Sequence, residues 1–278
     1  LLEKLLYTKG KMMKPLELFL RENAPEGFVS TTVIQEAMGR FTCKARTVEK
    51  TIFEAGLTPL RYRRNQQSLT QEEQHRLFDS HVLIVGCGGL GGLISELLAR
   101  VGIGSLTLID PDVYEEHNLN RQIFSTVKTL GHSKAKTVRK RLLEIHPALH
   151  VRAFQESFSP QNAHLFVKGK SAAVDALDCP LTKTLLAFTC SEEKVPFIHG
   201  AIGGWMGQCS TSKNLEEVYK DGEKGAEKQS GNLPMTAAFC ACLQASLVLK
   251  TLLKKPVLDD SLLFFDLYDT EMVEARLF

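Results

Sequence analysis

A run of four apolar residues, Val82 to Val85, passes straight into Gly86-Cys87-Gly88-Gly89-Leu90-Gly91-Gly92. The apolar run reads as a buried strand, and the segment 90–101 reads as the helix that follows. Strand, glycine-rich turn and helix make a G-x-G-x-x-G in the setting that gives this spacing meaning. The turn is tight, and the backbone must approach a phosphate without a Cβ in the way. The start of the helix then offers unpaired N–H groups to an anion. A second strand at 106–109 ends in Asp110, an acid placed for ribose hydroxyls. A nucleotide site follows from this unit, but the glycines do not say which nucleotide.

The same alternation runs on along the chain. Strands are expected at 82–85, 106–109, 150–154, 172–175 and 196–199, and helices at 90–101, 134–145, 160–167 and 181–192. Strand–helix alternation predicts an α/β fold, a doubly wound, Rossmann-like and mostly parallel sheet. A further strand is read at 207–212 and two closing strands at 261–267 and 271–277. The polar, charged stretch 213–231 reads as a long mobile loop. The segment 235–253 carries no charge until Lys250 and reads as a helix buried in the core or at a subunit interface.

The 278 residues suffice for one large α/β domain and a small extra one. Residues 1–57 form that extra region, with short helices at 15–23, 31–38 and 47–55, and residues 58–278 the nucleotide-binding domain. The small region resembles either a helix-turn-helix module or a helical appendage packed on the main domain or a second subunit. The appendage is preferred, because the only basic cluster nearby is short and DNA binding asks for a basic face. After it, Thr70 and Glu73 form a capping box at the head of a helix over 70–79.

A formal net charge of +2 implies no polyanion partner, so nucleic acid is not expected. No apolar run approaches the roughly 20 residues of a membrane span, and residues 1–14 lack a secretory cleavage site. The chain opens on Leu, with Met12 and Met13 as alternative starts. Seven cysteines, an odd number without any C-x-x-C pair, read as reduced thiols of a cytoplasmic protein and predict no zinc site.

Several polar motifs gather where the strands end. They are Asp110-Pro111-Asp112, Asn118-Leu119-Asn120-Arg121-Gln122, Gly131-His132-Ser133-Lys134 and Asp175-Ala176-Leu177-Asp178. A parallel sheet puts all of them around one crevice. Two cations and an acid beside a phosphate-cradling loop suit a triphosphate with Mg²⁺. A dinucleotide would need less positive charge, which leaves an NAD-dependent oxidoreductase as the weaker alternative.

These motifs, in this order and preceded by Arg61-Tyr62-Arg63-Arg64, resemble the ThiF/MoeB/HesA family of ubiquitin-activating-type adenylyltransferases over about residues 58–278. The resemblance implies ATP-dependent adenylation of the C-terminal glycine of a small ubiquitin-like sulfur carrier of the ThiS/MoaD type, by a homodimer. It implies a nucleotide held by Gly86, Gly88, Gly89, Gly91, Asp110, Asn118, Arg121 and Lys134. Asp178 would hold Mg²⁺, and Lys183 stands where members carry a basic residue beside that acid. Arg64 would be an arginine finger reaching the γ-phosphate of the neighbouring subunit, although Arg61 and Arg63 compete for the part. Two departures matter. The paired C-x-x-C motifs of zinc-binding members are absent, and residues 213–231 contain no cysteine to accept an acyl group. Relatives that activate a peptide C-terminus or a modified tRNA base remain the alternative, with the N-terminal helices as a substrate clamp.

Overall fold

The computed structural model describes residues 14–213, 230–258 and 261–276, together with the short strands β1 (Tyr7–Thr8) and β2 (Lys11–Met12). Most of the expected 213–231 loop lies outside the described residues. The main body is an eight-stranded sheet. Its strands are β5 (His81–Val85), β6 (Ser105–Ile109), β7 (His150–Phe154), β8 (Ala172–Asp175), β9 (Phe197–Gly203), β10 (Met206–Ser210), β11 (Ser261–Asp266) and β12 (Glu271–Arg276), in the order β12-β11-β10-β9-β8-β5-β6-β7. The five strands from β7 to β9 pair in parallel, and β9 through β12 pair antiparallel.

The parallel part is covered on both faces, which is why β5, β6 and β8 read as nearly unbroken apolar runs. Val82 and Ile84 of β5 face one core with helices α5 (Gly89–Val101), α6 (Lys134–Ile145) and α9 (Pro234–Leu252). Leu83 and Val85 face the other, with α7 (Ala163–Val167) and α8 (Pro180–Glu192). Helix α9 meets the length and apolarity of a membrane span, contrary to the reading that no run approaches one. It packs on α5, β9 and β10 as a core helix. Its small residues allow that approach: Ala237, Cys240 and Ala241 are fully buried, whereas Cys242 faces outward.

Ahead of the sheet, α1 (Pro15–Glu22), α2 (Thr31–Arg40) and α3 (Ala45–Glu54) enclose their own core of Phe19, Leu20, Val29, Ile34, Val48 and Ile52. Ser30 caps α2, its hydroxyl accepting from the Val33 N–H at 3.2 Å. Strand β3 (Phe28–Val29) pairs in parallel with β4 (Thr58–Pro59), so the chain closes this unit before it moves on. Buried polar contacts then fasten the unit to the sheet domain. Glu49 on α3 accepts from Arg61 and lies 3.1 Å from Nε2 of His146, with Glu49 and His146 both almost fully buried. Arg46 on α3 donates to the Gly104 carbonyl beside β6. Helix α4 (Gln71–Asp79) opens with the expected capping box, in which the Thr70 hydroxyl accepts from the Glu73 N–H and the Glu73 carboxylate from the Thr70 N–H.

Candidate active site at the carboxyl ends of the parallel strands

Strand β5 lies between β6 and β8, and the chain reverses its direction of travel across the sheet there. Such a switch point leaves a crevice beyond the strand ends. Here it is a cleft of about 420 Å³, within the range of small-ligand sites. Gly86, Gly88, Gly89, Asp110, Asn118, Arg121, Lys134 and Asp178 all line it.

The glycine turn is shaped by close approaches. Gly86 has φ +95°, and a Cβ there would sit 2.3 Å from the Ala176 carbonyl oxygen. Gly91 does not line the cleft. It lies behind the turn, where a Cβ would come within 1.8 Å of the Gly86 carbonyl oxygen. Its part is to let α5 pack against its own entry turn. Helix α5 begins at Gly89, so its first amide groups have no partner within the helix and lie at the cleft.

Asp110 is buried, and its carboxylate is already half used. Oδ2 accepts from the Cys87 N–H at 2.6 Å and Oδ1 from the Asp112 N–H at 2.8 Å. A carboxylate has about four acceptor sites, so room for two hydroxyls remains. Burial pushes the Asp110 carboxyl up, against the pull of those two amides and of Lys134. Lys134, at the first turn of α6, is buried to its tip and pairs with Asp112 Oδ2 at 2.8 Å. Its own N–H donates to the Asp112 carbonyl, so Asp112 ties the acid to the cation.

Arg121 lies across Gly89 and donates to the His117 carbonyl at 3.1 Å and to Asn120 Oδ1 at 2.8 Å. Asn118 is buried, its Oδ1 accepting from the Glu115 N–H at 3.0 Å. Gln122, also buried, has an Oε1 at the cleft without a partner among the described residues. Asp178 is exposed and makes no hydrogen bond among the described residues. A hydrated magnesium ion needs one or two carboxylates and keeps several waters, and an unengaged Asp178 facing the cleft meets that need.

Lys183 and Arg64 both lie away from the cleft. Lys183 does not face the cleft beside Asp178; it is 3% exposed and bonded to Asp175. Arg64 is exposed and lines a separate cavity with Arg63 and Gln67. Of its two competitors, Arg61 is taken by Glu49 and Arg63 by Glu26 at 2.6 Å. Reasoning from motifs missed Asp112 as the partner of Lys134, and it missed Ser157 and Phe158, which line the cleft from the segment after β7. Phe158 stands in no recognisable motif, whereas Asp112 could have been found from its place two residues beyond Asp110. Among the cysteines, Cys87 and Cys209 are fully buried, and Cys179 is exposed at the cleft.

The chain and its fold have counterparts among known proteins. The archaeal SAMP-activating enzyme E1 of Haloferax volcanii is 33% identical over 207 residues, covering 71% of this chain and 77% of that protein. Relatives named as adenylyltransferases, from Porphyra purpurea and Arabidopsis thaliana, are aligned over only about half of their own length. Among solved structures, E. coli tRNA N6-threonylcarbamoyladenosine dehydratase in complex with ATP superposes with a TM-score of 0.62 at 25% identity, over 70% of this chain and 94% of that one. E. coli MccB with ATP shares the fold with a TM-score of 0.66 at 19% identity, over 88% of this chain and 82% of that one. Residues 62–277 match the ThiF family. On that match and on these relatives, the chain belongs to the ThiF family, among the adenylyltransferases of the ubiquitin-activating type.

Proposed function

We propose that this protein uses MgATP to adenylate the C-terminal glycine carboxylate of a small β-grasp sulfur carrier, giving acyl-AMP and pyrophosphate. The observation that carries the reading is the convergence of Lys134, Arg121 and the open start of α5 on one cleft with Asp178 at its rim. Lys134, Arg121 and the helix start supply positive potential opposite an Asp178 carboxylate that has no partner among the described residues, a charge pattern that suits a triphosphate bound with a divalent ion.

Each residue then has a task. Asp110 holds the ribose hydroxyls with its two remaining acceptor sites. The first amides of α5 and the Arg121 guanidinium hold phosphate oxygens. Lys134 faces the α-phosphate and offsets the charge that builds as the carboxylate oxygen attacks phosphorus and pyrophosphate departs. Asp178 would hold magnesium, which supplies charge neutralisation to the leaving pyrophosphate. The attacking carboxylate is already ionised at neutral pH, so positioning and electrostatics suffice without a general base. A narrow Gly-Gly tail is the shape that threads such a cleft.

A second reading, activation of a peptide carboxylate, draws on the MccB superposition. Its 88% coverage exceeds the 216 residues of 62–277, so it reaches the N-terminal helices. A third, a modified tRNA base, draws on the dehydratase relatives. ATP–pyrophosphate exchange separates them when run with carriers ending in Gly-Gly and with the same carriers lacking the last glycine. Exchange that needs the intact tail supports the carrier. ATP binding without exchange on any carrier moves the substrate to a peptide or tRNA, and NAD binding in place of ATP ends the adenylation reading.

A further inference from the structure

Beneath the cleft lies a buried ionic cluster to which the roles above give no work. Asp175, the last residue of β8, is 0% exposed. Its Oδ1 accepts from the Leu177 N–H at 3.1 Å and from Lys183 Nζ at 3.2 Å. Its Oδ2 accepts from Lys183 at 3.1 Å and from His199 Nδ1 at 2.7 Å. Lys183 also donates to the Gly200 carbonyl at 2.9 Å. An ionised carboxylate only accepts, so the proton of His199 sits on Nδ1, and Nε2 accepts from the Gln208 amide at 3.1 Å. From α9, Gln244 donates to the Asp175 carbonyl at 2.7 Å. Three strands and two helices thus meet at this cluster.

The cluster encloses a loop. Between Asp175 and Lys183 run Ala176, Leu177, Asp178, Cys179 and the first turn of α8. The Leu177 N–H fixes one end to the Asp175 carboxylate. At the other, the Lys183 N–H donates to the Cys179 carbonyl at 3.1 Å. The Lys183 ammonium returns to Asp175 and closes the loop at its base. Asp178 stands at the crown, in the cleft, and Ala176 abuts the glycine turn. Magnesium tolerates little departure from octahedral geometry, so the position of a carboxylate that binds it must be held.

We propose that Asp175, Lys183 and His199 are positioning residues that set the Asp178 carboxylate for the magnesium-bound triphosphate. The inference rests on the nucleotide reading of the cleft. Burial works against the charge on Asp175, but the Lys183 ammonium and the His199 hydrogen bond outweigh it and hold the carboxyl below its usual range. Burial also drives His199 down, which keeps it a neutral Nδ1–H donor.

Two substitutions at His199 separate the donor from the bulk. His199→Asn keeps an N–H near the Nδ1 position, whereas His199→Leu removes it. Affinity for α,β-methylene-ATP is measured with and without Mg²⁺, affinity for AMP alongside it, and Tm for each variant. Partners one step removed from a metal cost about 10–100-fold in its affinity when lost. His199 stands further back, behind Asp175 and the Leu177 N–H, so His199→Leu is expected to weaken magnesium-dependent binding by about tenfold, the lower end of that range. AMP binding should stay near wild type, and His199→Asn should restore most of the magnesium effect. Gln208→Leu, outside the ion pair, is expected to give a smaller loss of the same kind and serves if His199→Leu does not fold. Equal loss of AMP and magnesium–nucleotide affinity, or a folded variant with unchanged magnesium dependence, overturns the proposal. If the wild-type protein itself binds no magnesium nucleotide, the nucleotide reading falls too, an outcome distinct from failure in the variants alone.

Discussion

Gly91 and Lys134 show two ways in which a single residue carries this site. Gly91 contributes only the absence of a side chain, because a Cβ would meet the Gly86 carbonyl at 1.8 Å. Gly91→Ala is expected to cost about 1–3 kcal/mol by overpacking and to abolish nucleotide binding; a thermal melt and a nucleotide titration check both. Lys134 contributes charge at a chosen point. Lys134→Met should slow pyrophosphate exchange by roughly 100-fold or more, as when one donor to a developing anion is lost. Exchange kinetics at saturating ATP read that directly. Asp110 and Lys134 were legible in the sequence because each stands at an element boundary fixed by local pattern, one at a strand end and one at a helix start. The Asp175–His199 contact was not legible. It spans 24 positions and depends on the pairing of β8 with β9, which no spacing encodes.

The elements were easiest to read where both faces of the sheet are covered, since burial on two sides leaves long apolar runs such as 82–85. The bounds of α7 were harder: the expected 160–167 shrinks to Ala163–Val167 because residues 159–162 are spent in a turn, with the Ala163 N–H donating to the Ser159 carbonyl. How the N-terminal helices attach was not legible at all. Arg61 belongs to a motif that suggested catalysis, yet Glu49, which also bonds His146, claims it at the junction. Removing one member of a buried pair strands the other, at a cost of about 3–5 kcal/mol. Glu49→Ala should therefore destabilise the protein by about that much in urea unfolding and expose the connection after α3 to proteolysis. Equal resistance to protease would separate the junction from stability.

For the molecule as a whole, acid tolerance and assembly follow from the same burial. Burial lowers His81 to about 4 and also lowers His146 and His199. The unfolded chain therefore takes up protons that the folded chain refuses. Stability is full above about pH 6.5 and falls as the pH drops from there through about 4. Urea midpoints across that window should decline, and His81→Asn should flatten the decline. Arg64 tests assembly. Within its own chain it lies outside the cleft, so a role in catalysis requires a second copy. Arg64→Ala should depress turnover and leave ATP binding nearly intact, and mixing it with Asp178→Ala protein should restore exchange. No recovery on mixing would end the assignment in trans. Much of the phosphate cradle proposed above is peptide backbone at glycines, where an alanine scan has no side chain to delete. At the glycines of this turn such a scan reports only additions, and on the proposed reading it would assign to Lys134 and Arg121 a share of binding that main-chain amides supply. Replacing an amide with an ester at the start of α5 is the change that would make that hidden share visible.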